Sequence, residues 1–406
     1  MVSKKKYVRA IIISALISAL VFTLGTAFIM IRADFPGIIS MMVGKNSDST
    51  AKLEAILNDI SKSHLYEIDK TKLIDNAIKG MLDSIDDPYT YYLSADEYDD
   101  SFSSKNPTFT GIGITVDTAS VDDAVVIKQI YKGSNVSEVG ILEGDEIIAV
   151  EDIRCTPDNK EEMLEKAKGE EGTSVNITIR RDGKELTFSV ERRSIRVELA
   201  VSEIFEDSVG YIRLRSFQAA AKDDFENCLS NLRSQNITSL IIDLRGNGGG
   251  YKHIALELVD HFVPEGTVCS TVNNKGVVST DSSTGKMIDI PFVLLVDKNS
   301  ASASELFAGA VQDYGTGLLI GQTTFGKGIV QYTRQLEDKS YYQFTAEQWL
   351  TPKGRTIHGV GLTPDIEVKI DDNLAYYIDT HPTEILSLDV DLQLKTAIET
   401  LLANEK

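Results

Sequence analysis

The sequence predicts an α+β protein of several domains, and three observations lead to that prediction. Its 406 residues leave room for two or three domains and a sizeable core. Apolar residues recur at helical spacing between Thr50 and Lys105, whereas strand-like alternation prevails from Phe109 to about Arg192. From Ser194 onward, apolar strands alternate with amphipathic helices. We therefore expect a helical segment, a β-rich module and an α/β core, in that order.

The N-terminus carries a predicted membrane anchor. Three lysines and Arg9 precede Ala10–Ile31, a run of 22 residues without a charge. As a helix this run would span about 33 Å, against a hydrocarbon core of about 30 Å. A cleaved signal peptide is the alternative, since Gly25–Ala27 weakly matches a cleavage site, but the apolar run continues beyond it. We expect a single-pass cell-membrane protein whose large domain is extracytoplasmic, because the basic residues precede the anchor.

Charge and cysteine content exclude some classes of function. The net charge of −20 leaves no basic footprint for nucleic acid, so we expect no nucleic-acid partner. Cys155, Cys228 and Cys269 are widely spaced and follow no metal-ligand pattern. We expect unpaired cysteines, no metal site and no cofactor.

The helical segment follows a short tether. Leu53, Ile56 and Ile60 mark one apolar stripe, a second stripe runs from Leu73 to Leu82, and Asp86–Leu93 reads as an aromatic turn. A helical pair of this kind serves packing or dimerisation more readily than catalysis. A homodimer is therefore possible.

The β-rich module contains a strong hairpin signal and a glycine-bearing loop. Residues on either side of Asp182-Gly183 alternate between apolar and polar. Together with the loop Gly111-Ile112-Gly113-Ile114, this succession resembles a PDZ domain. In a PDZ domain such a loop offers backbone N–H groups to a free C-terminal carboxylate, while an extended peptide adds to a strand edge. The resemblance implies protein or peptide substrates with free C-termini.

Small hydroxyl residues occupy a strand-to-helix turn in the α/β part. The segment Asn299–Ala310 follows the apolar run Pro291–Asp297 and opens into helical spacing. A serine at such a turn lies beside unpaired N–H groups at the positive end of the helix, where an oxyanion can bind. Alternatively, Ser300 or Ser304 caps the helix, with Glu305 completing a capping box. The pattern alone leaves both readings open.

A second stretch supplies a candidate base. Lys327 stands between Gly326 and Gly328, 25 residues after Ser302. Glycines let the backbone approach closely, so neighbouring groups can remove water from the amine. A lysine acts as a general base when neutral, and burial lowers its pKa towards that state. These features suit a Ser-Lys dyad.

A glycine cluster separates another predicted strand and helix. Ser239–Leu244 reads as a strand, Arg245–Gly250 as a glycine-rich loop, and Lys252–Phe262 as a helix. A phosphate-binding turn is one explanation, but the glycine spacing fits neither known phosphate motif. Binding of a nucleotide is therefore not expected.

The serine, lysine and glycine motifs together resemble the carboxyl-terminal processing peptidase family, the tail-specific serine proteases with a PDZ domain. The resemblance covers roughly Leu53 to Val368, and it implies a ClpP/crotonase-like α/β core. It makes the central serine of the Ser-Ala-Ser-Ala-Ser-Glu motif the nucleophile, the lysine of Gly-Lys-Gly the base, and the glutamine four residues later its orienting partner. It also assigns two backbone N–H groups to the oxyanion hole. The residues implied are Ser302, Lys327 and Gln331, with Gly248 and Ala303 for the oxyanion.

Two alternatives to an active Ser-Lys enzyme remain. A Ser-His-Asp triad is the commoner solution, but none of the five histidines lies in a triad motif and no Gly-x-Ser-x-Gly elbow is present. Lys327 and Gln331 would meet across a helical turn but lie about 13 Å apart on a straight strand. The other alternative is a catalytically inactive PDZ scaffold that binds protein C-termini.

The expected function is a membrane-anchored extracytoplasmic serine endopeptidase that recognises C-termini through its PDZ domain and cleaves through an acyl-enzyme. The domains that we expect are a basic tail with anchor, a tether with helical segment, a PDZ domain, a peptidase core and a C-terminal helical tail. Their ranges are 1–33, 34–106, 107–192, 193–370 and 371–406.

Overall fold

The structure is a computed structural model that describes residues 47–97, 108–206, 208–276, 278–381 and 385–404. The chain divides into two compact units, residues 1–84 and 85–406. No helix in the described ranges has both the length and the apolar character needed to cross a bilayer. The anchor predicted at Ala10–Ile31 lies outside the described residues.

The described part of the first unit contains two helices, α1 (Ser47–Ser63) and α2 (Lys70–Asp83). The carboxylate of Asp69 accepts a hydrogen bond from the Lys72 N–H at 3.1 Å, as a helix N-cap does. The predicted helical pattern is confirmed for these two segments. Several of its apolar side chains, Leu53 and Ile56 among them, are exposed.

The segment Asp86–Leu93, predicted as an aromatic turn, ends in a strand. The segment Tyr91–Leu93 forms strand β1, which pairs antiparallel with Tyr341–Gln343 from far along the chain. Tyr92 is buried, while its two strand neighbours are half-buried. Aromatic residues suit a half-covered pleated surface, but the sequence signal for a strand of three residues is weak.

The β-rich module forms a sheet of the order β3-β4-β5-β7-β8, with β6 on β5 and a separate β2-β9 pair. Its elements are β2 (Thr108–Gly111), β3 (Ile114–Asp117), β4 (Val125–Ile130), β5 (Glu146–Val150), β6 (Ile153–Arg154), α3 (Lys160–Glu165), β7 (Ser174–Arg181), β8 (Lys184–Glu191) and β9 (Arg193–Arg196). Asp182 and Gly183 both have positive φ, 51° and 72°, which confirms the hairpin turn. Helix α3 is short and ends at Glu165.

The remaining residues form the α/β part of the second unit. Its elements are β10 (Ala200–Phe205), β11 (Val209–Leu214), α4 (Ala221–Ser234), β12 (Ser239–Asp243), α5 (Lys252–Val259), β13 (Gly266–Asn273), β14 (Val278–Ser283), β15 (Phe292–Val296), α6 (Ala303–Tyr314), β16 (Leu318–Gly321), β17 (Ile329–Gln335), β18 (Tyr341–Leu350), β19 (Ile366–Glu367), α7 (Asp372–Thr380) and α8 (Leu392–Asn404). Helix α5 ends at Val259 rather than at the predicted Phe262.

The main sheet has the order β10-β11-β12-β15-β16-β19, parallel except for β10. Helices cover both of its faces, so strands β12 and β15 are buried at every residue. This explains why they read as continuous apolar runs instead of alternating ones. Leu240 and Leu294 face the side packed by α4, α5 and α6, whereas Ile241 and Leu295 face the side packed by α8.

A second sheet joins distant parts of the chain. It has the order β1-β18-β13-β14, with β17 paired to β18. The long strand β18 thereby contacts both the segment before the PDZ-like module and the strand that follows Lys327. Through this sheet, residues near Tyr89 come close to the segment 322–328, which carries Lys327 and is called the lysine loop below.

Candidate active site

Ser302 lies at a strained turn between β15 and α6. Its φ and ψ are 58° and −112°, and it is the residue immediately before the helix. Residues other than glycine rarely adopt positive φ, and such strain persists where surrounding contacts enforce it. The turn places Ser302 at the helix N-terminus, where the dipole favours negative charge.

The three serines of the motif have different environments. Ser300 and Ser304 are fully buried, and their hydroxyls donate to the carbonyl oxygens of Leu244 and Asn247, each at 2.8 Å. The partly exposed Ser302 donates its hydroxyl hydrogen to none of the described residues. Ser302 is itself the N-cap of α6 and Glu305 completes its capping box, so the predicted cap at Ser300 or Ser304 is wrong. The outer serines form buried bonds to carbonyl oxygens, while the hydroxyl hydrogen of Ser302 has no acceptor within the described chain.

The glycine-rich loop packs directly against this turn. Asn247 accepts a hydrogen bond from the Ala301 N–H at 3.0 Å, and its side chain binds the Leu214 carbonyl and the Gly249 N–H. A Cβ atom on Gly249, whose φ is +101°, would lie 2.9 Å from the Cβ of Ser302. Glycine is needed here because two backbone segments meet without room for a side chain.

The two N–H groups predicted for an oxyanion hole are unpaired in this arrangement. Neither Gly248 nor Ala303 donates its backbone hydrogen to an acceptor among the described residues. Both flank the Ser302 turn: Ala303 follows the serine in sequence, and Gly248 precedes the glycine that contacts it. Unpaired N–H groups beside a nucleophile can stabilise the charge of a tetrahedral intermediate.

Lys327 lies on the irregular segment between β16 and β17 and is half-buried. Burial lowers the pKa of its amine, while the negative charge of Asp87 acts in the opposite direction. The backbone carbonyl of Lys327 accepts a hydrogen bond from the Trp349 indole N–H at 3.2 Å. The amine lies 4.3 Å from the centre of the Tyr89 ring. Among the described residues, the amine forms no hydrogen bond with Ser302 or Gln331.

Gln331 lies on strand β17, not on a helical turn. A bulge between Val330 and Gln331 interrupts the pairing with β18. The Gln331 side-chain nitrogen is buried and has no hydrogen-bond partner within the described part of the chain. The structure thus places an unsatisfied donor close in sequence to Lys327, with no hydrogen bond between the two side chains.

Glu305 is a residue whose importance the sequence analysis missed. Its fully buried carboxylate accepts hydrogen bonds from the N–H groups of Ser302, Gly326 and Lys327 at 2.7–2.8 Å. The Thr324 hydroxyl donates a fourth at 2.6 Å. One carboxylate therefore connects the serine turn to the lysine loop. The capping-box pattern indicated the bond to Ser302, but nothing in the sequence indicated the other three.

The histidines do not assemble a triad with Ser302 among the described residues. His253 stacks on Tyr251, and His261 lies beyond the end of α5, 3.7 Å from Glu226. His381 lies between carbonyl oxygens of Tyr377 and Lys128. These contacts agree with the packing roles expected from the sequence.

The predicted carboxylate-binding loop joins β2 to β3. Gly111 ends β2, Gly113 has φ +74°, and Ile114 begins β3, which is the edge strand of its sheet. The carbonyls of Ile112 and Gly113 accept hydrogen bonds from Ser134 and Tyr131. In the described chain the N–H groups of Ile112 and Gly113 have no acceptor. The loop thus has donors available beside an open strand edge.

Comparison with known proteins yields matches to three family models. Peptidase family S41 matches residues 208–368, the PDZ domain matches residues 110–191, and the activating protease CtpB N-terminal domain matches residues 39–97. These matches follow one another along the chain in the order that the sequence analysis expected.

Similar proteins and structures agree with these matches. The carboxy-terminal processing proteases CtpB and CtpA of Bacillus subtilis (strain 168) are 32% and 31% identical over 364 and 375 residues. The alignments cover 87% and 90% of this chain, and 72% and 79% of those proteins. A putative S41 protease from Bacteroides fragilis NCTC 9343 is similar in fold, with 14% identity, a TM-score of 0.52, and coverage of 78% of this chain and 90% of that one. The chain therefore belongs to peptidase family S41, the carboxy-terminal processing serine proteases, and it contains a PDZ domain.

Proposed function

We propose that this protease is a membrane-anchored extracytoplasmic endopeptidase that uses a Ser302–Lys327 dyad and an acyl-enzyme. The proposal rests mainly on the conformation and the hydrogen bonding of the turn around Ser302. Ser302 is strained, its hydroxyl hydrogen has no acceptor among the described residues, and the unpaired N–H groups of Gly248 and Ala303 flank it. A serine with only a capping role would not need this combination.

The reaction begins when the neutral Lys327 amine takes the proton of the Ser302 hydroxyl. The serine oxygen attacks the peptide carbonyl, and the resulting oxyanion accepts hydrogen bonds from Gly248 and Ala303. The lysine then gives its proton to the leaving amine as the C–N bond breaks, which leaves an ester on Ser302. Water repeats the sequence on the ester and releases the second product.

Lys327 must move before this chemistry, because its amine lies over Tyr89. Burial supports the neutral form of the amine that the first step requires. In the assembled site, Gln331 orients the amine, since its buried side-chain nitrogen lacks a partner among the described residues and Gln331 follows the lysine by four positions. Hydrogen bonds in resting enzymes are often longer than in the reacting complex.

The PDZ domain binds the free C-terminus of a protein substrate. Unpaired N–H groups at Ile112 and Gly113 supply donors for the carboxylate, and edge strand β3 supplies a place for an extended peptide. A peptide substrate carries both features at its end, so the module selects C-termini for delivery to the dyad.

The N-terminal residues support two further parts of the proposal. The uncharged run Ala10–Ile31 anchors the protein in the cell membrane, with the peptidase outside the cytoplasm. The exposed apolar side chains of α1 and α2 provide a surface for a homodimer. A chain that begins at Ala33 should leave the membrane fraction and enter the soluble fraction.

Peptide cleavage and fluorophosphonate labelling of the serine test the dyad. Ser302→Ala and Lys327→Ala should each lower kcat by at least about 1000-fold, since nucleophile and base act as a unit. Circular dichroism should show that both variants remain folded. If Lys327→Ala cleaved at nearly the wild-type rate at neutral pH, another base would have to serve.

The same assay tests the PDZ assignment when the peptide is offered with either a free or an amidated C-terminus. Amidation removes the charge that the loop N–H groups bind, so kcat/KM should fall with the dyad unaltered. Equal kcat/KM for both peptides would contradict capture of the C-terminus. The rate of fluorophosphonate labelling provides the control, because this reagent has no C-terminal carboxylate.

A further inference from the structure

The Lys327 amine occupies a defined position in which it forms no hydrogen bond with Ser302 among the described residues. Its Nζ atom lies 4.3 Å from the centre of the Tyr89 ring. An ammonium group at this distance over an aromatic face is attracted by the negative charge of the ring face. The contact favours the charged form of the amine, and a charged lysine cannot accept the serine proton.

The loop that carries Tyr89 is firmly attached to the peptidase core. The Asp87 carboxylate accepts hydrogen bonds from the Tyr89 N–H and the Thr90 hydroxyl, at 3.0 and 2.6 Å. The Tyr89 carbonyl accepts one from the side chain of Gln343 at 3.1 Å, and the Thr345 N–H donates to Thr90 at 3.3 Å. The ring is therefore held in place by strand β18.

The groups around the amine act in opposite directions. Burial favours neutral Lys327, whereas Asp87 favours the charged form. Burial also raises the pKa of Asp87, but hydrogen bonds to its carboxylate outweigh this and lower the pKa, so Asp87 is charged at neutral pH. On the side of α6, the carboxylate of Glu305 binds the backbone N–H of Lys327. Tyr89 and Asp87 thus oppose the deprotonation that burial promotes.

We propose that Tyr89 is a positioning residue whose ring holds the charged Lys327 ammonium in a resting place away from Ser302. The dyad forms when the amine leaves the ring and loses its proton. This inference rests on the proposed dyad. It assigns the loop before the PDZ domain a direct influence on how much enzyme is ready to react.

The pH dependence of fluorophosphonate labelling tests the inference without involving peptide binding. Tyr89→Leu removes the ring face but keeps an apolar cover over the amine. The charged lysine loses its attraction to the ring, so its pKa falls and more of the neutral base is present at a given pH. The acidic limb of the rate profile is the pH range in which the labelling rate rises as the lysine loses its proton. This limb should shift to lower pH by about 0.4 to 1.5 pH units. On that limb, labelling should become roughly 3- to 30-fold faster.

Three further variants make the test specific. The conservative Tyr89→Phe keeps the ring face and should retain the wild-type acidic limb. Tyr89→Met also lacks the ring and fills more of the tyrosine's space than leucine does. It replaces Tyr89→Leu in the test if the leucine variant folds poorly. Tyr376→Leu is the matched control, because Lys128 lies 5.7 Å from the centre of the Tyr376 ring outside the proposed active site. This control should leave the acidic limb in place.

An unchanged acidic limb in folded Tyr89→Leu or Tyr89→Met would overturn the inference. A move to higher pH would also overturn it, since the ring would then act mainly by excluding water. Failure of the dyad itself gives a different result: Lys327→Ala would label as fast as wild type. Loss of labelling in Lys327→Ala with no shift in the Tyr89 variants contradicts only the role of Tyr89.

Discussion

Glu305 shows what a single residue contributes to this site. Its buried carboxylate receives four hydrogen bonds, one from the serine turn and three from the segment around Lys327. Each bond joins a neutral donor to a charged acceptor, which makes it stronger than a bond between neutral groups. The relative position of the Ser302 turn and the segment around Lys327 therefore depends on this side chain.

Glu305→Gln should weaken both stability and activity. The amide nitrogen would face donors instead of accepting from them, so about two hydrogen bonds would be lost. We expect the free energy of unfolding to fall by about 3 kcal/mol and kcat by roughly 100-fold through misplacement of the serine. Urea unfolding and peptide cleavage measure the two effects.

The matched control for this substitution is Glu257→Gln. Glu257 forms an exposed ion pair with Lys222 at 2.6 Å, and its loss should cost at most about 1 kcal/mol. If Glu305→Gln were as stable and as active as this control, the carboxylate would not join the two segments as we describe.

At the scale of elements, the site depends on the close approach of the glycine loop and the N-terminus of α6. A Cβ atom on Gly249 would lie 2.7 Å from the Ala301 carbonyl oxygen and 2.9 Å from the Ala303 nitrogen. Both neighbours are backbone atoms of the serine turn, so they cannot turn aside as a flexible side chain can. The spacing between loop and helix therefore tolerates no larger residue.

Gly249→Ala should displace the serine turn and lower kcat by roughly 100-fold. The added methyl group and the φ of +101° should also cost about 1–3 kcal/mol of stability. Gly276→Ala separates the two effects, since Gly276 has φ +72° but no heavy atom of the described residues lies within 4 Å of an added Cβ. The control should lose some stability and keep its activity. Equal kcat values in the two variants would show that the close approach is not needed.

For the whole molecule, the C-terminal helix is part of the peptidase core. Leu394, Ala397, Ile398 and Leu401 of α8 pack on one face of the main sheet. Arg245, just after β12, forms a buried ion pair with Asp391, just before α8, at 2.7 Å. The Arg245 guanidinium also binds Asp243 and Gln393. The glycine-rich loop Arg245–Gly250 is thus connected to the start of the C-terminal helix α8 through the Arg245 side chain.

Asp391→Ala should be strongly destabilising, because it leaves a buried guanidinium without one of its two carboxylates. We expect a loss of about 3–5 kcal/mol in the free energy of unfolding, measured with urea. Asp372→Ala removes the exposed partner of Lys298 and should cost at most about 1 kcal/mol. A loss of similar size in both variants would mean that the buried pair does not hold the C-terminal helix.

Local sequence patterns predicted much of the fold and the identity of the reactive groups. Strand β12 begins at the predicted Ser239 and ends at Asp243, one residue before the predicted end, because an uninterrupted apolar run marks a strand covered on both faces. The hairpin at Asp182-Gly183 follows from turn chemistry within two residues. The serine and lysine motifs, read with the family resemblance, pointed to Ser302 and Lys327. That assignment remains a prediction which the geometry supports.

The features that the sequence left open depend on contacts between distant residues. Sequence patterns within a short window indicated where most strands and turns lie, and the family resemblance singled out Ser302. Only the tertiary structure showed that Glu305 accepts a hydrogen bond from the Lys327 N–H, that the Lys327 amine lies over the Tyr89 ring, and that α8 packs on the second face of the main sheet. The physical reason is that these contacts join residues far apart in the chain. Lys327 is 22 positions from Glu305 and 238 positions from Tyr89, and more than 70 positions separate α8 from β16. Such pairings follow from how whole sheets and helices pack, which no local periodicity specifies.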